Sequence, residues 1–217
     1  INQLVIIGET VKKFQDENLP AIEYYCDITK KKQISDLGKY IKKNFGRLDI
    51  LVNNAGITLS DSSLDYSEKF WDKTNDVNIK APFFLSQECA KIMKLKKSGI
   101  IINITSINAE FAFPDNPSYQ VSKAGLKQLT KSLSLDLAKF GIRVNSVGPG
   151  YFHTMMTNKS WDNIKRRKLI TNNTILGRWG EPKDLEGVII FLASDASSYI
   201  TGQNIYIDGG WSVKGIK

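Results

Sequence analysis

The sequence predicts an α/β fold, a parallel sheet covered by helices on both faces. Three observations carry this. Short apolar runs such as Leu48–Val52 and Ile100–Ile104 alternate with stretches that repeat at helical spacing. A long helical stretch, about Ser118 to Phe140, lies between the apolar runs 100–105 and 142–147, the order of a βαβ unit. The 217 residues hold no internal repeat, low-complexity tract or linker, so one domain spanning 1–217 is expected.

Residues 1–18 can be read in two ways. Leu4-Val5-Ile6-Ile7 has the branched composition of a strand, whereas Leu4, Ile7, Val11 and Phe14 follow helical spacing. Lys12, Lys13, Gln15 and Asp16 fill the polar side, which favours a helix ending near Asn18-Leu19-Pro20. Ile22–Cys26 is then a strand closing on Asp27. Lys31–Asn44 is an amphipathic helix with Ile34, Leu37 and Ile41 inward and Phe45-Gly46 at its end. Leu48–Val52 is a buried strand running into Asn53-Asn54-Ala55-Gly56. A helix from about Ser67 to Asn78 and another to Lys97 follow, with Pro82 marking a break or kink near Ala81. The strand 100–105 ends at Ser106, a loop spans 107–117, and the strand 142–147 leads into Gly148-Pro149-Gly150. The segment 151–180 reads as irregular and polar, Pro182–Ser194 as a helix and Asn204–Asp208 as the last strand.

Composition narrows the class of protein. Hydrophobic residues at 41% and charged residues at 24% suit a water-soluble globular chain. No apolar run approaches the roughly 18 residues of a membrane span, and the first residues lack a signal-peptide pattern. Cys26 and Cys89 lie far apart and outside any metal-ligand spacing; they read as small core residues of a reducing compartment, so a cytoplasmic protein without a metal is expected. The formal charge of +8 comes from lysine pairs and triples on polar helix faces. With no recognition motif and no basic-aromatic stripe, neither a nucleic-acid nor a membrane partner is expected.

Chemistry first shows itself in Ser118-Tyr119-Gln120-Val121-Ser122-Lys123. Tyr119 and Lys123 project from one helix face, one turn apart. A free phenol has a pKa of about 10, and a neighbouring cation lowers it, making a plausible acid/base device for a carbonyl or an alcohol. Such pairs also occur on ordinary surface helices, so their context decides. Ser106 stands at the end of one flanking strand and Pro149-Gly150 at the end of the other, where α/β sheets bind ligands.

Taken together, these residues resemble the classical short-chain dehydrogenase/reductase family, which includes 3-oxoacyl-carrier-protein reductases and many sugar and polyol dehydrogenases. Asn53-Asn54-Ala55-Gly56 matches the family's NNAG motif, and Tyr119 with Lys123 its YxxxK pair. Asn78 and Ser106 match its active-site asparagine and serine, Pro149-Gly150 with Thr154 its PG-xxx-T segment, and Asp208-Gly209-Gly210-Trp211 its usual ending. The resemblance runs from about Asp27 to the C-terminus and implies a Rossmann-like doubly wound sheet. It also implies NAD or NADP as cofactor and a small alcohol or carbonyl compound as substrate. The segment Leu176–Pro182 and the Asp-Gly-Gly-Trp ending look more like sugar or sugar-acid dehydrogenases than fatty-acid reductases.

By the same resemblance Ser106, Tyr119, Lys123 and Asn78 are the catalytic set. Lys123 lowers the pKa of Tyr119, and the Asn78 backbone holds a relay water. Asp27, Ile28, Asn54, Ala55, Gly56, Pro149, Gly150, Phe152 and Thr154 bind the cofactor together with Tyr119 and Lys123. Asn108, Phe111, Phe113, His153 and Met156 line the substrate pocket. A homotetramer or homodimer is expected, paired through the helices at about 82–97 and 118–140 and through the last strand.

The start of the chain departs from the family. The first strand, the TGxxxGxG loop with its helix, and the second strand are expected to be missing, with Ile1 just beyond the residue that selects the cofactor. Gly8-Glu9-Thr10 carries one glycine and cannot replace that loop. The expectation is a piece of a longer chain; a complete protein of this sequence should not hold a cofactor. Two alternatives stand beside the sugar-type enzyme: a 3-oxoacyl-carrier-protein reductase, and a catalytically silent binding or scaffold protein of the same fold.

Overall fold

The computed structural model describes the backbone of residues 4–6, and residues 20–214 in full. The chain forms β1 (Leu4–Ile6), β2 (Ala21–Glu23), α1 (Lys31–Phe45), β3 (Ile50–Asn53) and α2 (Glu68–Asn75). A π-helical turn (Asp76–Lys80) then leads into α3 (Ala81–Met93), β4 (Gly99–Ile104), α4 (Pro117–Leu137) and β5 (Ile142–Pro149). Next come α5 (Asn158–Asp162), α6 (Ile164–Asn173), α7 (Glu186–Leu192) and β6 (Asn204–Ile207). Strands β3-β4-β5-β6 form one parallel sheet in that order, and β1 and β2 pair as a second, two-stranded parallel sheet.

The run 100–104 is a strand because both of its faces are covered, whereas in β3, expected to be a buried strand, Val52 stays exposed. Ile101 and Ile102 of β4 point to opposite faces, and both are fully buried. Ile101 packs among Cys89, Ala90 and Met93 of α3, Leu133 of α4, and Ile142 and Val144 of β5. Ile102 packs with Val147 and with Leu192 of α7. Helix α1 buries Ile34, Leu37 and Ile41 against Leu85 and Ile92 of α3. It ends where Gly46 takes a left-handed backbone and returns its N–H to the Lys42 carbonyl.

Three expectations are corrected. Leu4–Ile6 is a strand, not part of a helix: its parallel partner Ala21–Glu23 settles what spacing left ambiguous, and residues 7–19 of that expected helix lie outside the described residues. A strand therefore precedes the one leading to Asp27, where the resemblance suggested none. The segment 151–180 is not irregular, since it holds α5 and α6. Ile170 is the buried residue of α6, so the helix carries no apolar stripe by which spacing could reveal it. Finally, of the two outcomes expected at Pro82, a break or a kink, the break does not occur. The backbone widens into the π turn, where the Ala81 N–H reaches the Asp76 carbonyl, and continues into α3.

A line of buried amides crosses the sheet. Asn53 and Asn103 are register partners on β3 and β4, and Asn53 Nδ2 donates to Asn103 Oδ1 at 2.8 Å. Asn103 Nδ2 donates to Thr130 Oγ1 of α4 at 2.9 Å, and Asn53 Nδ2 also reaches Ser86 Oγ of α3 at 3.1 Å. Among the described residues no group of His, Cys, Asp and Glu could hold a metal ion, and no helix is long and apolar enough to cross a membrane. Cys26 and Cys89 are free and buried, and burial pushes the Cys89 thiol up to about 12. Asn103→Ala should strip partners from Asn53 and Thr130 at once and destabilise the protein by about 2–4 kcal/mol, read as a lower urea midpoint with unchanged slope.

Candidate active site

The loops that follow β3, β4 and β5 meet at the carboxyl edge of the sheet, the ligand-binding edge of open α/β folds. Asn78 is fully buried in the π turn and fixes the first of these loops. Its Oδ1 accepts from the Ile57 N–H at 2.9 Å, its Nδ2 donates to the Ile57 carbonyl at 2.8 Å, and Nδ2 also reaches Ser122 Oγ of α4 at 3.1 Å. Pro82 has no N–H to offer the Asn78 carbonyl four residues earlier. One residue thus ties the NNAG loop to the long helix with its side chain, while helical bonding does not claim its carbonyl in the usual way.

Helix α4 buries one stripe: Ser118, Ser122, Lys123, Leu126, Thr130, Leu133 and Ser134. Lys123 lies within it, and its Nζ donates to the Ile104 carbonyl at the end of β4, at 2.7 Å. Gly56 closes over it. A Cβ built there would sit 3.4 Å from both Lys123 Nζ and Asn78 Oδ1, so the bare backbone lies directly on the two polar groups. Lys123 Nζ is 5.6 Å from the centre of the Tyr119 ring.

Ser106 sits at the end of β4 with extended backbone and opens the short turn Ile107–Ala109. Its hydroxyl accepts from the Asn108 N–H at 3.1 Å and donates to Asn108 Oδ1 at 3.2 Å. Burial pushes the Tyr119 phenol above its ordinary pKa, and hydrogen bonding with Ser106 pulls in the opposite direction. Desolvation of the phenol is the largest cause, and the same burial takes the Lys123 ammonium down to about 8.

The remaining expected residues surround this centre at different depths. Gly150 presses on Asp208, where a Cβ would come within 2.7 Å of the Asp208 Cα. Pro149 ends β5, Phe152 is buried and bridges to Gly180, and exposed Thr154 caps the turn Met155–Thr157. Asn54 and Ala55 are exposed beside Gly56. Asp27 accepts from the Thr29 N–H and hydroxyl at 2.9 and 2.7 Å, which holds its carboxyl below the usual range. With Thr29, Asp72, Asp76 and Val77 it lines an open cleft of about 720 Å³ on the far side of the π turn. Ile28 packs against the α1 core.

On the other side, aromatic rings form a continuous layer. Phe111 and Phe113 lie 5.5 and 5.4 Å from Trp211, which lies 5.9 Å from Tyr151. Tyr151 is 5.5 Å from Trp179, Trp179 is 5.3 Å from Trp161, and His153 stacks on Trp161 at 4.1 Å. The Gln120 side chain bonds both backbone groups of Phe113, so this layer is tethered beside Tyr119. His153 and Met156 stand exposed at its outer end. The sequence reading missed Tyr151, Trp179 and Trp211 as members of the layer; large aromatics within polar stretches were the available signal.

The buried ammonium has a pH signature. Between pH 8 and 10.5 the unfolded chain keeps the Lys123 proton that the folded chain has released, so stability rises with pH across that window. Below it, the folded protein carries the charge at a cost of about 3 kcal/mol. The melting-temperature difference between wild type and Lys123→Met should therefore grow in favour of wild type from pH 8 to 10. Parallel curves would refute the assignment.

Known proteins resemble this chain in sequence and fold. A family model described as enoyl-(acyl carrier protein) reductase matches residues 5–212. The 3-oxoacyl-[acyl-carrier-protein] reductase FabG of Thermotoga maritima is 38% identical over 214 residues, covering 95% of this chain and 86% of its own length. Gluconate 5-dehydrogenase of Gluconobacter oxydans is 36% identical over 200 residues, 92% of this chain and 78% of that protein. The structure of a gluconate 5-dehydrogenase from Burkholderia cenocepacia in complex with NADP and tartrate superimposes with a TM-score of 0.93 at 31% identity, over 98% of this chain and 86% of that one. Fold, motifs and likeness agree: the chain has the Rossmann-like α/β fold and belongs to the classical short-chain dehydrogenase/reductase family of NAD(P)-dependent oxidoreductases.

Proposed function

We propose that the chain moves a hydride between NAD(P)(H) and a carbinol carbon of a sugar or sugar acid, with Ser106, Tyr119, Lys123 and Asn78 as its catalytic set. The observation that carries this reading is a buried amine under Gly56, with a half-buried phenol one turn away on the same helix and a strand-end hydroxyl beside it. These residues fit a dinucleotide. Gly56 leaves room for close approach, and Lys123 spends one of its three donors on Ile104, keeping two for ribose hydroxyls. Pro149, Gly150, Phe152 and Thr154 serve the nicotinamide side, and Asp27, Ile28, Asn54 and Ala55 the adenosine side. When bound, the nicotinamide supplies or accepts the hydride.

The chain's own residues handle the proton. Tyr119, protonated at neutral pH because burial raises its pKa, gives its proton to the carbonyl oxygen in reduction and takes it back in oxidation. Lys123 stabilises the phenolate that results. Ser106 donates to the same oxygen as charge builds there. The Asn78 carbonyl holds a water that returns protons to Lys123 from solvent. Helices α5 and α6 close over the aromatic layer and exclude water. We place the protein in the cytoplasm as a homotetramer or homodimer paired through α3, α4 and β6.

The aromatic layer and the charge above it support the substrate class. Flat rings suit the C–H faces of a polyol chain. Arg167 lies over Trp161 at 5.1 Å and makes no ion pair among the described residues, a free fork for a carboxylate. A second reading, reduction of 3-oxoacyl groups on an acidic carrier protein, is favoured by the likeness to FabG and by the +8 charge.

Two tests follow. Tyr119→Phe should abolish turnover of D-gluconate with NADP⁺ while leaving the cofactor dissociation constant within about twofold, because it removes the proton carrier alone; full activity would remove Tyr119 from the mechanism. Arg167→Met should raise KM for D-gluconate about tenfold or more and leave the uncharged D-glucitol unaffected. Equal losses on both would make Arg167 structural.

A further inference from the structure

We propose that Asn108 is a positioning residue that decides where Ser106 sends its single proton. The inference rests on the catalytic reading above and adds a residue to it. A serine hydroxyl has one proton and two lone pairs. One lone pair of Ser106 takes the Asn108 backbone N–H, and the proton goes to Asn108 Oδ1, so the same residue engages the hydroxyl both as acceptor and as donor. In that state the proton is turned away from Tyr119. The short turn Ile107–Ala109 keeps the two residues together, and the Asn108 carboxamide makes no other hydrogen bond among the described residues.

A carboxamide has an acceptor end and a donor end of nearly identical shape. Half a turn about its Cβ–Cγ bond exchanges them. Nδ2 then donates to Ser106 Oγ beside the backbone N–H, both lone pairs are filled, and the proton has to point outward. Outward lies the Tyr119 phenol, close enough for the Ser106 hydroxyl to draw its pKa down. The result is a chain of donors, Asn108 to Ser106 to substrate oxygen, that strengthens as negative charge builds on that oxygen. No bond other than hydrogen bonds changes, and no proton leaves Asn108.

Asn108→Asp keeps the shape and removes the donor end; at neutral pH it traps the Ser106 proton. Asn108→Ala removes both ends and leaves the hydroxyl undirected. With D-gluconate and NADP⁺ we expect kcat to fall about tenfold for Asn108→Ala and further, towards a hundredfold, for Asn108→Asp, the range of a lost oxyanion donor. KM and the melting temperature should stay close to wild type. The Asp variant should recover relative to Ala as pH falls and its carboxyl regains a proton. In a Ser106→Ala background neither substitution should lower kcat further. Equal kcat and pH profiles for Asp and Ala, or an undiminished loss in the Ser106→Ala background, would overturn the proposal. Tyr119→Phe separates the two levels: an inactive Tyr119→Phe beside a fully active Asn108→Asp refutes only the role of Asn108, whereas an active Tyr119→Phe refutes the catalytic reading beneath it.

Discussion

The structure depends on keeping one ammonium group out of water. Lys123 sits inside the protein, and three different parts of the chain are arranged to make that tolerable. The end of β4 offers the Ile104 carbonyl, the loop after β3 lays Gly56 across the amine, and the π turn brings Asn78 to hold that loop in place. Remove the Ile104 carbonyl's hydrogen bond and the charge is buried without compensation, which is among the most costly states a protein can adopt. The amine is expensive for stability.

The π turn shows how a local irregularity becomes part of the site. A regular helix through Asp76–Lys80 would run into Pro82, which can neither donate to the preceding turn nor fit beneath it. The backbone answers by widening one turn, and the residue at its centre is Asn78. Its side chain is fully occupied in fixing the NNAG loop and Ser122, so any role toward ligand falls to its backbone.

Much of this was legible in the sequence, because it depends on short-range spacing. Tyr119 and Lys123 share a helix face by arithmetic, and the buried strand β4 announces itself as a run of isoleucines. What could not be read needed a partner distant in sequence. Leu4–Ile6 has the composition of a strand and the spacing of a helix, and only pairing with Ala21–Glu23 decides between them. The helices α5 and α6 lack an apolar stripe, since they lie over the site rather than on the main core. The direction of the Tyr119 shift sets burial against a hydrogen bond with Ser106, and burial is a property of the whole fold. Likewise Trp179 and Trp211 belong to the aromatic layer only because the segments that carry them return to the same edge.

The amide line across the sheet has a bearing on alignment. Asn103 is in register with Asn53 on one side and with Ser146 on the other. Strand side chains alternate, so sliding β4 by a single residue would turn Asn103 to the opposite face, away from both Asn53 and Thr130. Apolar contacts alone would resist such a slip weakly here, because isoleucines on either face of β4 could exchange places with little change in volume. The amides therefore act as a key that accepts one setting. Since Ser106 extends from β4 and the NNAG loop from β3, the same key indexes hydroxyl, glycine and amine to one another before any ligand arrives.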